Sequence, residues 1–578
     1  MRSLLVYLKG YRKEAVLSPF FKLLEALLEL VVPLLMAAMI DKGISGRDIG
    51  YVVKMGAALL GIGAAGLAVS ITAQFFAAKA AVGFGEKLRT ALFRHILRFG
   101  YTELDTLGAS TLINRMTTDT QQVQTGVNMT LRLLLRSPFI VFGAMIMAFS
   151  VNAEAARVFV PLITLLAVVV AGIMTLTLPM HRMVQEKLDR LLLSTRETLT
   201  GVRVIRAFGK EQREAEDFRN QNHEFFSMQS RVGRLSVLMN PLTFALTNLA
   251  LAALLWSGAM QVQAGGLSQG QVIALVNYLS QILVELIKLA NLLVTMTKAL
   301  ACAKRIEAVF DDQPLMASPD SPVIANLLAR EAVRFKNVSM RYAGAGEDSL
   351  TDISFTAARG QTIGVIGGTG SGKSTLVNLI PRFYDATEGG VFVGGVNVKE
   401  QGKEALLMQC AVVPQKAALF SGTIRSNLQW GNQSASDEAL WKALNTAQAA
   451  EVVREKTGEL EAKIEQNGRN LSGGQKQRLT IARALVRDAS ILILDDSASA
   501  LDYATDAALR KALREMEGEH TVFIVSQRAS SVRGADCILV LDDGRLIGKG
   551  THDELMASCA VYQEIYYSQY PKGVEGHE

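Results

Sequence analysis

Six apolar runs crowd the first half of the chain and constrain its fold more than any other feature. A bilayer core takes roughly 20 mostly apolar residues per helix. The runs lie near residues 15–40, 52–78, 132–153, 157–180, 236–261 and 272–296 of a 578-residue chain. The fifth is the cleanest, with no charge between Arg234 and Glu285, whereas Lys22, Glu25 and Glu29 interrupt the first. This pattern predicts a membrane domain over 1–311. A linker over 312–330, a soluble α/β domain over 331–566 and a tail over 567–578 follow.

The joins between runs orient the domain. Three are short, and those after the second and fourth runs are long and basic, with Lys87, Arg89, Arg94 and Arg98 in one and Arg203, Arg206, Lys210 and Arg213 in the other. Lys and Arg mark cytoplasmic segments. Both termini and both long joins are therefore expected in the cytoplasm, in a multi-pass protein of the cell membrane. The long joins keep apolar residues at helical spacing, as in "AVGFGEKLRTALFRHILRF", so helices should continue far beyond the bilayer. The net charge of +6 belongs to these membrane-flanking residues, and six apolar spans argue against a soluble nucleic-acid protein. The four cysteines form no CxxC pair, which argues for reduced structural thiols. The N-terminus lacks the short apolar core and cleavage site of a signal peptide, so the first run is expected to stay as an anchor. Charges within spans are costly and often functional. Glu25 and Glu29, and likewise Glu285 and Lys288, share helix faces. They fit either a polar cavity for cationic substrates or internal ion pairs.

The second half carries a phosphate site. In "TIGVIGGTGSGKSTLVNLI", Gly367 to Ser374 fits G-x-x-x-x-G-K-[ST], after a β-rich run and before an amphipathic one. Gly367, Gly370 and Gly372 let backbone N–H groups close on phosphates. Lys373 is placed to meet the β- and γ-phosphates of ATP, and Ser374, followed by Thr375, to hold Mg²⁺. Downstream, "ILILDD" reads as a buried strand tipped by Asp495, in the metal-binding role, and Asp496, beside the attacking water. The predicted fold class is multidomain: an all-α six-helix transmembrane domain with long cytoplasmic helix extensions, then an α/β P-loop ATPase domain.

"LSGGQKQRLTIARAL", from Leu471, resembles the signature sequence of ABC transporter ATPases. The six-span arrangement and domain order resemble ABC exporter half-transporters over nearly the whole chain. "EALLELVVPLLMAAMIDKGI", "INRMTTDT" and "ETLTGVRVIRAFGKE" look like exporter membrane segments. The resemblance implies two ATPase domains facing head to tail, with ATP driving alternating access. It assigns Ser472, Gly473, Gly474 and Gln475 to the ATP held by the partner, and Tyr342 to stacking on adenine. It assigns Gln415 to the Q-loop contact with Mg²⁺ and Asp502 to the dimer contact. It also implies coupling segments near 103–112 and 206–215. The partners so implied are a second half-transporter, membrane lipid and a transported substrate, with no nucleic acid.

Three positions depart from the family pattern. Asp496 stands where Glu is usual, Gln527 where the switch loop usually has His, and Gln466 where many exporters have Glu. An Asp carboxylate sits one methylene short, and a displacement of about 1 Å can cost about a hundredfold in rate. Gln527 carries no charge, and a lost acid–base group typically costs about 10²–10⁴-fold. Lys373, Ser374 and Asp495 remain for binding, and the signature is intact. This asymmetry resembles the degenerate-site subunit of heterodimeric bacterial exporters. The expectation is a transport ATPase (a translocase) exporting a small or amphipathic substrate. Its own site binds ATP and hydrolyses it slowly, and its partner bears Glu and His. The alternatives are a slow homodimeric exporter and a non-transporting, nucleotide-gated membrane ATPase.

Overall fold

The computed structural model describes residues 3–570, apart from 314–315, 317–318, 320, 326–328 and 517. Parts of the expected linker (312–330) and the end of the expected tail (571–578) lie outside the described residues. The chain divides into two compact units. One runs to Leu97 and resumes over Ser110–Asp312; the other joins Arg98–Ala109 to the chain from Gln313 onward. The division thus differs from a single cut, because a short piece of the first half clusters with the ATPase unit.

The first unit holds six helices long and apolar enough to cross a membrane. They are Leu4–Ile44, Ile49–Ile96, Ala109–Val151, Ala153–Thr200, Glu211–Gln263 and Gln269–Asp311, spans 1 to 6 below. At 1.5 Å per residue, the 48 residues of span 2 extend about 72 Å, more than twice a hydrocarbon core. Its packing is that of a lipid-facing helix. Ala73, Ala77, Ala80 and Ala81 are buried, while Leu60, Leu67, Ile71 and Phe75 are exposed. Small residues let helix backbones approach where no hydrophobic effect drives them together. Span 6 starts at a capping box, in which Ser268 accepts from the Gln271 N–H and the Gln271 side chain accepts from Ser268 N–H. Asp41, in the last turn of span 1, accepts from the Gly270 N–H at 2.8 Å and from the Ser268 hydroxyl.

The charges within the spans pair with one another. Arg136 of span 3 reaches Glu285 of span 6 and Glu29 of span 1, each at 2.6 Å, and lies 3.8 Å from Glu25. Lys288 meets Glu285 at 2.8 Å, Lys22 meets Glu25 at 2.5 Å, and the Ser137 hydroxyl donates to Glu285 at 2.7 Å. Three acids face three bases. The acids are spent on internal cations, so they offer no surplus negative charge to a cationic substrate. Arg136 went unmarked in the sequence, although an arginine inside an apolar run is itself a signal.

The second unit is built on a six-stranded sheet. Its order is Arg545–Gly550, Cys537–Asp542, Thr362–Gly367, Thr521–Val525, Ile491–Asp495, Cys410–Val413, parallel except for the antiparallel first strand. Continuous apolar runs such as "ILIL" suit strands buried on both faces, and Ile491–Asp495 is buried throughout. An antiparallel sheet over Leu350–Ala358, Glu331–Met340, Glu388–Val393 and Val396–Asn397 stands beside it. The last helix, Ala560–Gln569, runs through the first three residues of the expected tail.

Replacing Arg136 with Leu should strand Glu285 beside a single lysine and lower membrane-domain stability by about 3 kcal/mol. That is the low end for a broken buried pair, because Glu29 is 40% exposed. Thermal unfolding of the detergent-solubilised protein reads this, and adding Glu285→Gln should recover part of the loss.

Candidate functional site

The parallel strands bring the sequence-predicted residues to one edge. Thr362–Gly367, Ile491–Asp495 and Thr521–Val525 lie side by side, so Gly367, Asp495 and Val525 end together and the three following loops open at one place. Ligands of open α/β sheets bind outside such carboxyl ends. A cavity of about 340 Å³ lies there, lined among others by Tyr342, Gly370, Gly372, Lys373, Ser374, Thr375, Gln415, Asp495, Asp496 and Gln527.

The glycine loop has the backbone the motif requires. Gly370 and Gly372 have φ of 86° and 90°, which only glycine adopts freely. A Cβ on Gly367 would sit 2.2 Å from the Leu541 carbonyl oxygen. Gly372 caps the helix Lys373–Leu379. Lys373 is buried, and its Nζ donates to the carbonyls of Gly367 at 3.0 Å and Gly368 at 2.5 Å. Burial pushes the pKa of this amine down, against the pull of Asp496 and Asp495.

The Ser374 hydroxyl donates to Asp495 Oδ1 at 2.9 Å. Burial raises the Asp495 carboxyl above its usual range, opposed by the Ser374 bond and Lys373. Adjacent hydroxyl and carboxylate oxygens, with the Gln415 amide lining the same cavity, are a hard-oxygen donor set that fits Mg²⁺. Among the described residues no cluster of three His, Cys, Asp or Glu offers a further metal site.

Asp496 has φ of 46°, a left-handed conformation that Asp tolerates better than most residues. Its N–H bonds Val525 O at 3.0 Å, and the Ser499 hydroxyl donates to its carbonyl at 2.8 Å. The Gln415 amide donates to its Oδ2 at 3.3 Å, so this carboxylate is already engaged within the cavity. Tyr342 reaches the Thr375 hydroxyl with its own at 3.0 Å and meets Tyr384 edge-on at 5.1 Å. The Tyr384 hydroxyl then donates to Asp105 at 2.7 Å, and Tyr101 stacks on Phe383 at 4.6 Å. The helix Tyr101–Leu107 is therefore fastened to the ATPase unit. Burial and the Asp105 carboxylate keep the Tyr384 phenol protonated by raising its pKa. Tyr384 went unmarked in the sequence, where nothing distinguishes it from a core aromatic.

Ser472, Gly473, Gly474 and Gln475 do not line this cavity. Ser472 caps the helix Gly473–Leu485, and its backbone N–H donates to the Gln475 side chain at 3.0 Å. Ser472 and Gly473 are exposed, and a Cβ on Gly473 would meet nothing. Asp502 likewise caps Tyr503–Arg514, accepting from the Thr505 N–H and hydroxyl at 2.8 Å each. That backbone bond, first among its causes, lowers the pKa of this exposed carboxyl.

Comparison with known proteins matches two family descriptions. "ABC transporter transmembrane region" covers residues 15–286 and "ABC transporter" covers 350–499. An uncharacterized ABC transporter ATP-binding protein of Mycobacterium tuberculosis is 36% identical over 568 residues, 97% of each chain. The chain belongs to the ABC transporter family. It is a half-transporter, one membrane region fused to one ATPase domain, and a multi-pass membrane protein. A Bacillus subtilis relative of the same description is 34% identical across 100% of both chains. An ATP-dependent lipid A-core flippase of Desulfotalea psychrophila is 30% identical over 83% of this chain and 84% of its own. The fold is that of a bacterial Atm1-family ABC exporter solved with ATP bound, at a TM-score of 0.82 and 22% identity, covering 98% of this chain and 99% of that one. The family brings ATP binding, ATP-driven export and a dimeric assembly.

The depressed Lys373 pKa has a measurable consequence. ATP affinity of the full-length half-transporter should weaken as pH rises, and the loss should begin below the ordinary lysine value of 10.5. The neutral amine no longer attracts phosphate, so ATP binding takes up protons in that range. Equilibrium binding across alkaline pH checks this, and Lys373→Ala should give weak binding without the pH dependence.

Proposed function

We propose that this half-transporter works in a heterodimer and contributes the Walker half of a slow ATP site. The observation that carries the reading is the environment of Asp496. The acid is one methylene short of Glu, its left-handed backbone is held at both ends, and the Gln415 amide already engages its carboxylate. Gln527 lines the same cavity with no titratable proton. Binding is assigned to Tyr342, Gly367, Gly370, Gly372, Lys373, Ser374, Thr375 and Gln415. Ser374, Gln415 and Asp495 are assigned to Mg²⁺. The Ser472–Gln475 segment, exposed at Ser472 and Gly473, completes the site of a partner that bears Glu and His, with Asp502 at the dimer contact. When bound, Mg²⁺ neutralises phosphate charge. The membrane domain takes 1–311 and the ATPase domain 331–566, the latter on the cytoplasmic side.

For the substrate we propose an amphipathic anion. A cavity of about 610 Å³ between spans 3, 4 and 6 combines apolar Met174 and Leu178 with His181, Arg182, Lys298 and Arg305. Its one acid, Asp119, is taken up by Arg305 at 2.9 and 2.5 Å and by Arg115 at 2.8 Å. Among the described residues Arg182 and Lys298 have no ion-pair partner, so the lining carries net positive charge. The lipid A-core flippase named among the relatives handles an amphiphile, which agrees with this reading.

Isolation from native membranes should recover a second, similar chain carrying Glu and His at the two departing positions. The chain alone should hydrolyse ATP slowly, and Asp496→Glu with Gln527→His should raise its rate about tenfold or more. A homodimer with ordinary, transport-coupled ATPase activity overturns the slow-site reading. For the substrate, an anionic amphiphile in proteoliposomes should stimulate ATPase more than its zwitterionic analogue, and Arg182→Ala with Lys298→Ala should remove the difference.

A further inference from the structure

The switch loop, Ser526 to Ala529, is held by a residue some forty positions later. The Gln569 side chain donates from Nε2 to the Gln527 carbonyl at 2.8 Å and accepts at Oε1 from the Ala529 N–H at 2.8 Å. One primary amide thus grips the backbone on both sides of Arg528, as a neighbouring strand would. The residue between is engaged in the other direction. Arg528 donates to the carbonyls of Leu501 and Ser499 at 3.2 Å each, and its guanidinium lies 5.0 Å above the Tyr503 ring. Its own N–H bonds the Ser526 hydroxyl at 3.0 Å. The loop is therefore a strut. Residue 527 faces the nucleotide cavity, residue 528 holds the segment leading to Asp502, and Gln569 fixes the backbone of both.

Gln569 can bear this role because its helix is anchored. Tyr562 is fully buried, with its hydroxyl 2.9 Å from His552 Nδ1. The Gln563 amide donates to the Met556 carbonyl at 2.6 Å, and Tyr566 stacks on Tyr570 at 5.0 Å. The amide at 569 projects from a fixed base onto the loop that leads into the short helix Ala529–Val532. Gln569 is not among the residues lining the cavity, and its bond to the Gln527 carbonyl links it to that lining.

We propose that Gln569 is a positioning residue for the ATPase site. It sets where the side chain at 527 stands against the γ-phosphate and couples that side chain, through Arg528, to the Ser499–Asp502 segment. This rests on reading residue 527 as the group facing the γ-phosphate. A loop released from the clamp still binds ATP, because Lys373, Ser374 and Tyr342 stand on other segments. It misplaces residue 527 in the chemical step, where a shift of about 1 Å costs up to about a hundredfold.

Two measurements on the full-length protein test this. The first, hydrogen exchange at the Ala529 amide, involves no nucleotide and does not depend on the proposed function. Gln569→Leu removes both bonds and should speed exchange there about tenfold. Gln569→Glu keeps the acceptor and should leave that amide protected, while amides in the middle of Ala560–Gln569 keep their protection in both variants. The second is kinetic, in the Asp496→Glu, Gln527→His chain. Gln569→Leu and Gln569→Glu should each lower kcat at least about tenfold with KM for ATP within about twofold, because both lose the bond to the residue 527 carbonyl. Unchanged kcat in both variants, or kcat and KM moving together, overturns the proposal. So does unchanged exchange at Ala529 in Gln569→Leu. If Gln569→Leu does not fold, Gln569→Glu carries the kinetic test. Should the doubly substituted chain itself gain no activity, the slow-site reading fails, and the exchange result still decides the clamp.

Discussion

The hydrogen bond between Ser374 and Asp495, 2.9 Å long, joins residues more than a hundred positions apart, and the ATP site is organised around it. It exists because the strands that end at Gly367 and Asp495 flank Thr521–Val525 in parallel. Parallel pairing puts every carboxyl end on one edge, so a phosphate loop, an acid pair and a switch loop emerge together. The same burial that steadies this edge disfavours charge. It lowers the Lys373 pKa and raises that of Asp495, and a polyanion with its cation reverses both penalties.

Binding and chemistry rest on different segments of this edge. Lys373 and Ser374 belong to the glycine loop and its helix, whereas Asp496 and Gln527 belong to two loops after neighbouring strands. A chain can therefore keep its grip on ATP while its hydrolytic geometry drifts. The Asp496 backbone is held by the Val525 carbonyl and by the Ser499 hydroxyl. The exposed signature serine, capped with Gln475, shows no corresponding departure.

The membrane unit obeys a related rule with a different solvent. Three acids and three bases meet at Arg136 because lipid gives charged groups no other partner. Their sum is zero, whereas the cavity between spans 3, 4 and 6 is lined by His181, Arg182, Lys298 and Arg305 with Asp119 as its acid. There Asp119 is bonded by Arg305 and Arg115, and among the described residues Arg182 and Lys298 have no ion-pair partner.

Much of this was legible in the chain itself. Six apolar runs of bilayer length, the glycine loop, the acid-tipped strand and "LSGGQ" are local patterns, and local patterns survive without coordinates. So do the departures at Asp496 and Gln527, since each is read against a neighbouring motif. What only the tertiary structure decided depends on long-range contact: that Glu25, Glu29 and Glu285 are neutralised by Arg136, that Tyr384 fastens Tyr101–Leu107 to the ATPase unit, and that Gln569 grips the switch loop. None of these has a spacing or periodicity of its own. A glutamine at the end of a helix looks like any solvated residue until folding brings its amide to two backbone groups that need a donor and an acceptor. The sequence by itself determined the family and the motifs that line the site, because both are local patterns; the fold decided which charges cancel and which distant side chains bond to those motifs, because both depend on long-range contact.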